Sequence, residues 1–131
     1  MIVVDTNVVA YLFLESPHRK NSQGVRRFDS VWVVPPLWRS EFWNVLVMNV
    51  RHRRLAPELA LEMAVEGDVF LGPCEVRVDF DRVLALATRS GCSAYDCEFV
   101  ALAQDLQIPL VTADQQVLAA FPDTAVSMDS F

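Results

Sequence analysis

Several common routes to catalysis are missing from this chain. It has only four glycines, and none sits in a glycine-rich phosphate loop. His18 and His52 lie far apart, each flanked by arginine, so no imidazole pair is on offer to a transition metal. Cys74, Cys92 and Cys97 are odd in number and lack the Cys-x-x-Cys spacing of zinc or redox sites, a pattern that fits reduced thiols in a cytoplasm. No serine or cysteine stands in an obvious nucleophile setting. Long hydrophobic runs are absent too. Met1–Val4 is broken at once by Asp5, and Val8–Leu14 falls far short of the roughly 20 residues of a membrane span. Neither export nor membrane insertion is expected. What remains is a chain that is 53% hydrophobic and 21% charged, without low-complexity tracts. At 131 residues it reads as one folded domain over 1–131.

Cationic charge is also short. The formal net charge is −6 and the only lysine is Lys20, so the overall field opposes a polyanion. Six of the ten arginines are nevertheless bunched, at Arg19 beside Lys20, at Arg26 and Arg27, and in the run Arg51-His52-Arg53-Arg54. That last run serves equally as a phosphate-binding patch or as a complement to the negative end of a helix. A cluster of acids loaded with a cation would lose much of its negative charge.

Hydrophobic periodicity orders the elements. Ile2–Val4 is a β-branched strand, and Val8–Leu14 is a helix after the turn Asp5-Thr6-Asn7. A helix over His18–Phe28 and a strand over Val31–Val34 follow, the strand stopped by Pro35-Pro36. Leu37–Arg54 is the longest helix, and its apolar residues, Trp38 and Trp43 among them, run around most of the circumference, which predicts burial on more than one side. Pro57 opens another helix, to about Phe70. A weak strand is expected over Glu75–Val78, then helices over Asp81–Ser90 and Ala94–Leu106 with Gly91 between them. Pro109–Thr112 is a buried strand, a short helix starts at Asp114, and Thr124–Ser127 forms an edge strand. Strands alternating with helices predict an α/β fold, a three-layer α/β/α sandwich on a mostly parallel sheet. Its ligand crevice lies at the carboxyl ends of the strands.

Four acids stand out. Asp5 and Asp114 each follow a strand and each have a bland reading as helix N-caps. Asp96 lies three residues after Ser93, close to a capping box. Glu41 shares a narrow polar strip with Ser40, Asn44 and Met48 on an otherwise apolar helix, and a buried carboxylate there needs a partner. Hard cations such as magnesium are held by carboxylate oxygens and water. A metal-activated water is therefore the chemistry these residues best support.

Asp5-Thr6-Asn7, Arg39-Ser40-Glu41, Ala94-Tyr95-Asp96 with Phe99–Ala103, and Leu110–Asp114, taken in order, resemble the signatures of PIN domains, most closely the VapC-like toxin ribonucleases of toxin–antitoxin pairs. The resemblance spans nearly the whole chain. It implies a Mg²⁺- or Mn²⁺-dependent endoribonuclease with Asp5, Glu41, Asp96 and Asp114 as catalytic metal ligands, and Asn7 and Thr112 in support. It also implies an RNA substrate, a homodimer and a cognate antitoxin. Arg51, Arg53 and Arg54 are the candidate RNA contacts. Cys97 and Glu98 depart from the small residues common after the third acid, and Glu98 has no assigned role. A haloacid-dehalogenase-like phosphohydrolase resembles Asp-x-Asp, whereas Asn7 holds the second position here. A response-regulator receiver needs a lysine at its phosphoryl site, and Lys20 lies in an early helix. A PIN-like binding module without catalysis keeps the fold and loses the chemistry.

Overall fold

Three short apolar runs and one edge segment make the sheet. In the computed structural model, which describes residues 1–131, these are β1 (Ile2–Val4), β2 (Trp32–Val33), β3 (Leu110–Thr112) and β4 (Ala125–Ser127), in the order β2-β1-β3-β4 with every pair parallel. β1, β2 and β3 are buried along their whole length. That is why they read as unbroken apolar runs and not as alternating ones. The seven α-helices are α1 (Thr6–Phe13), α2 (Arg19–Phe28), α3 (Leu37–Arg51), α4 (Pro57–Leu71), α5 (Phe80–Ser90), α6 (Ala94–Leu106) and α7 (Gln115–Ala120).

The chain steps from β1 to β2 in one direction, then returns past β1 to β3 and on to β4. Crossovers of one hand place the helices of the two journeys on opposite faces, with α1 against β3 and α6 across β1 and β3. The result is the α/β/α sandwich expected from the alternation of elements. A single cluster of 29 buried residues forms the core. No helix is long and apolar enough to cross a membrane.

Three local expectations change. Glu75–Val78 contributes only an isolated parallel bridge, Val34 to Glu75, because the chain touches the β2 edge through two hydrogen bonds at Val34 and then leaves toward α5. α3 ends at Arg51, three residues early, where the chain turns with Arg53 at a positive φ of 58°. Only one stripe of α3 is buried, Trp38, Phe42 and Leu46, at the i, i+4, i+8 spacing of one helical face. Trp43 and Val47 stay 47% and 43% exposed, lining an apolar groove between α3 and α4. α4 approaches the buried stripe closely at Gly67, where an added Cβ would come within 3.0 Å of the Phe42 ring. Gly91 ends α5 in the left-handed region, φ 76°, the conformation for which glycine is the least strained residue.

Candidate metal centre and active-site cleft

The sheet order changes direction between β1 and β3, and at such a switch point the outgoing loops diverge and leave a crevice at the carboxyl ends of the strands. Asp5 stands one residue beyond β1 and Asp114 two beyond β3. Glu41 arrives from the second turn of α3 and Asp96 from the first turn of α6. All four acids line one cleft of about 460 Å³, together with Thr6, Asn7, Ser40, Asn44 and Tyr95. No lysine, arginine or histidine is among its lining residues.

Capping a helix does not keep these acids out of the cleft. Asp5 is 7% exposed and caps α1, its Oδ1 accepting the Thr6 N–H at 2.7 Å. Its Oδ2 accepts the Thr112 hydroxyl at 2.7 Å and the Asn7 amide at 3.4 Å. Asp114 caps α7 with Oδ1 alone, which accepts the N–H groups of Gln116 and Val117. Ser93 caps α6 by accepting the Asp96 N–H at 3.1 Å. That hydrogen bond employs the Asp96 backbone and leaves its carboxylate in the cleft.

Asn7 and Thr112 tie the two strand ends together. The Asn7 amide oxygen accepts the Ala113 N–H at 3.1 Å, and the fully buried Thr112 hydroxyl accepts the Asp114 N–H at 3.0 Å while donating to Asp5. Thr6, which the sequence did not single out, donates its hydroxyl to Glu41 Oε1 at 2.8 Å and so reaches across from α1 to α3. The available signal was its place as first helical residue beside Asp5. Tyr95 was likewise visible only as the neighbour of Asp96. Glu98 lies outside the cleft lining, yet its charge contributes to the raised pKa of Glu41. The structure does not bring Arg51, Arg53 or Arg54 to the cleft. Ten residues of α3 separate Arg51 from Glu41, about 15 Å along the helix axis.

Electrostatically the cleft lacks a counter-charge. Burial pushes the Asp5 carboxyl up to about 6, with the charges of Glu41 and Asp96 acting in the same direction and hydrogen bonds from Thr112 and the Thr6 backbone opposing. Burial also raises Glu41, opposed by the Thr6 hydrogen bond and helped by the charges of Asp96 and Glu98, and raises Asp96, helped by Asp114 and opposed by a hydrogen bond with Ser93. Carboxylates that perturb one another this way gain when a cation joins them. As the side chains stand, no three of them form a closed ligand set. An open cleft of oxygen donors suits magnesium, which takes one or two carboxylates directly and retains several waters. The hard-oxygen donor set and the uncompensated buried carboxyl therefore fit a divalent cation.

Fold and site together define an α/β protein with a carboxylate-lined cleft at the switch point of a parallel sheet. The family model for the PIN domain matches residues 2–124. This chain belongs to the PIN-domain family, whose members are generally nucleases. Among solved structures, the chain is similar to the protein PAE2754 of Pyrobaculum aerophilum, with a TM-score of 0.72 and 21% identity over 98% of this chain and 91% of that one. It is similar to a toxin–antitoxin complex from Klebsiella pneumoniae, TM-score 0.70 and 18% identity over 98% of each chain. It also resembles FitAcB of Neisseria gonorrhoeae, TM-score 0.73 and 14% identity over the full length of both. At these identities the likeness is one of fold. No curated protein matches the sequence significantly.

Proposed function

We propose that this protein is a magnesium-dependent endoribonuclease, the toxin of a toxin–antitoxin pair, that hydrolyses RNA phosphodiesters. The observation that carries the reading is the convergence of Asp5, Glu41, Asp96 and Asp114 from four separate segments on one cleft without a cationic side chain. Membership of a family of nucleases supports it, and the structural likeness to a toxin–antitoxin complex supports the biological role.

Asp5 and Asp96 are the direct ligands in this reading, with Glu41 and Asp114 acting through water or toward a second ion. A bound Mg²⁺ or Mn²⁺ supplies acidity to water and neutralises charge developing on the phosphoryl oxygens. Thr112 and the Thr6 N–H orient the Asp5 carboxylate, and Thr6 holds one oxygen of Glu41. Water forms its bond to phosphorus in line as the bond to the 3′ oxygen breaks, a cleft carboxylate or solvent takes the water's proton, solvent protonates the departing 3′ oxygen, and the 5′-phosphate stays on the downstream fragment. The toxin role brings a cognate antitoxin that blocks the cleft, a homodimeric assembly, and action in the cytoplasm as one domain spanning 1–131.

The test is cleavage of total RNA by wild type and Asp96→Asn, with magnesium and with EDTA, followed by mapping of fragment ends. Magnesium-dependent cuts with 5′-phosphates, lost in the variant, are expected. Cleavage that persists in EDTA, or at full rate in Asp96→Asn, would overturn the metal centre.

A further inference from the structure

A polyanion entering this cleft meets four acids and no cationic side chain. A metal ion offsets part of that charge at the scissile phosphate, and the arginine run lies about 15 Å along α3 from Glu41. Phosphate contacts, the usual source of affinity for nucleic acid, are therefore scarce beside the reacting bond. Attraction there has to come from the bases.

The cleft supplies a surface for one. Tyr95, in the first turn of α6, lines the cleft directly before Asp96 and is 62% exposed. None of the five aromatic pairs within the chain includes its ring, so no other aromatic side chain covers it. From α3, Ser40 and Asn44 contribute a hydroxyl and an amide to the same lining, neutral groups able to donate to and accept from a base edge. At about 460 Å³ the cleft has the size of a single small-molecule site, with room for one nucleotide.

We infer that Tyr95 stacks an unpaired base next to the scissile phosphate and is the main source of affinity for the strand at that point of the cleft. Stacking on an aromatic side chain requires a base released from its own helix, and it tolerates any sequence because every base has a π face. Asn44 lies beside the stacked base as the group that meets its edge. The inference rests on the nuclease reading and adds to it the residue that binds the base.

Two readouts test it: fluorescence quenching of a single-stranded RNA carrying 2-aminopurine, titrated with protein in calcium, and initial cleavage rates of the same strand in magnesium. Wild type, Tyr95→Phe and Tyr95→Ala are compared, each with the strand free and annealed to its complement. Wild type and Tyr95→Phe should quench and cleave the free strand alike. In Tyr95→Ala the quench should vanish and KM should rise roughly 5- to 150-fold, with kcat nearly unchanged, and the annealed strand should give little signal with any variant. Unchanged KM and quenching in Tyr95→Ala would overturn the inference and leave the nuclease standing. So would a fall in kcat at constant KM, which makes Tyr95 a support for Asp96. Wild type that neither binds nor cuts the strand removes both readings together.

Discussion

Burying the Asp5 carboxyl beneath Thr112 and the first turn of α1 is costly mainly when that carboxyl is ionised, and its pKa of about 6 against an ordinary 3.8 expresses the cost. The folded state holds the proton more tightly than the unfolded state. The contribution of this group to stability is thus fully present below about pH 4, is lost as pH rises through 6, and is flat above that. A shift of this size corresponds to roughly 3 kcal/mol at most. A cation in the cleft reverses the preference by binding the ionised form. For metal-free protein, urea unfolding between pH 4 and 8 should therefore show wild type losing stability relative to Asp5→Asn as pH rises, and added magnesium should stabilise wild type more at pH 8 than at pH 5. Parallel pH curves for the two proteins would contradict the assignment. Asp5→Asn is in this respect expected to stabilise the metal-free fold while removing activity, a conflict between stability and function.

Helix starts carry the site, and each does so by dividing labour within a few residues. Ser93 takes the capping role for α6 through the Asp96 N–H, while the Asp96 carboxylate lines the cleft and interacts with Ser93 as well. Asp114 takes it for α7 with one oxygen and retains the other. At the start of α3, Arg39 bridges Asp68 at 2.6 Å and Glu75 at 2.7 Å, and the Trp38 indole N–H donates to Glu75 at 2.9 Å. These contacts join the helix that bears Glu41 to α4 and to the segment following it. Ser93→Ala should lower stability by about 1 kcal/mol, and Ser93→Asn should restore it, because either side-chain oxygen caps the helix and a methyl group does not. Denaturant melts of the three proteins measure this directly. Equal midpoints would show that the Ser93 cap contributes nothing to α6.

Across the whole molecule, charge is arranged against non-specific binding of nucleic acid. The net charge is −6, the cleft has no cationic side chain of its own, and the densest arginine run closes the far end of α3. Arg51 is exposed in the last turn of that helix, where its charge also complements the helix dipole. If RNA runs along α3 from the cleft, Arg51→Ala should weaken binding and reduce the slope of log affinity against log salt by about 0.7. Salt titration of oligonucleotide binding decides this. An unchanged slope with a small loss of helix stability would assign the run to the helix terminus.

Local chemistry made much of this protein readable before folding. The β-branched runs Ile2–Val4 and Leu110–Thr112, the Pro57 and Gly91 boundaries, and the polar strip of Ser40, Glu41 and Asn44 on an apolar helix all report periodicity or backbone preference, which neighbouring residues determine. Glu41 was legible because a carboxylate inside an apolar helix is locally costly and calls for a reason, whereas Asp5, Asp96 and Asp114 each had an ordinary capping explanation and stood out only through the resemblance of the four segments, taken in order, to PIN domains. Their meeting was a different matter. Thr6 lies 35 residues from Glu41 and Asp5 lies 107 from Thr112, and no local pattern records which of them touch. The strand order β2-β1-β3-β4, the reduction of Glu75–Val78 to one bridge and the exposure of Trp43 were likewise tertiary decisions. Each depends on which apolar faces compete successfully for a finite core, and only the packed chain resolves that competition.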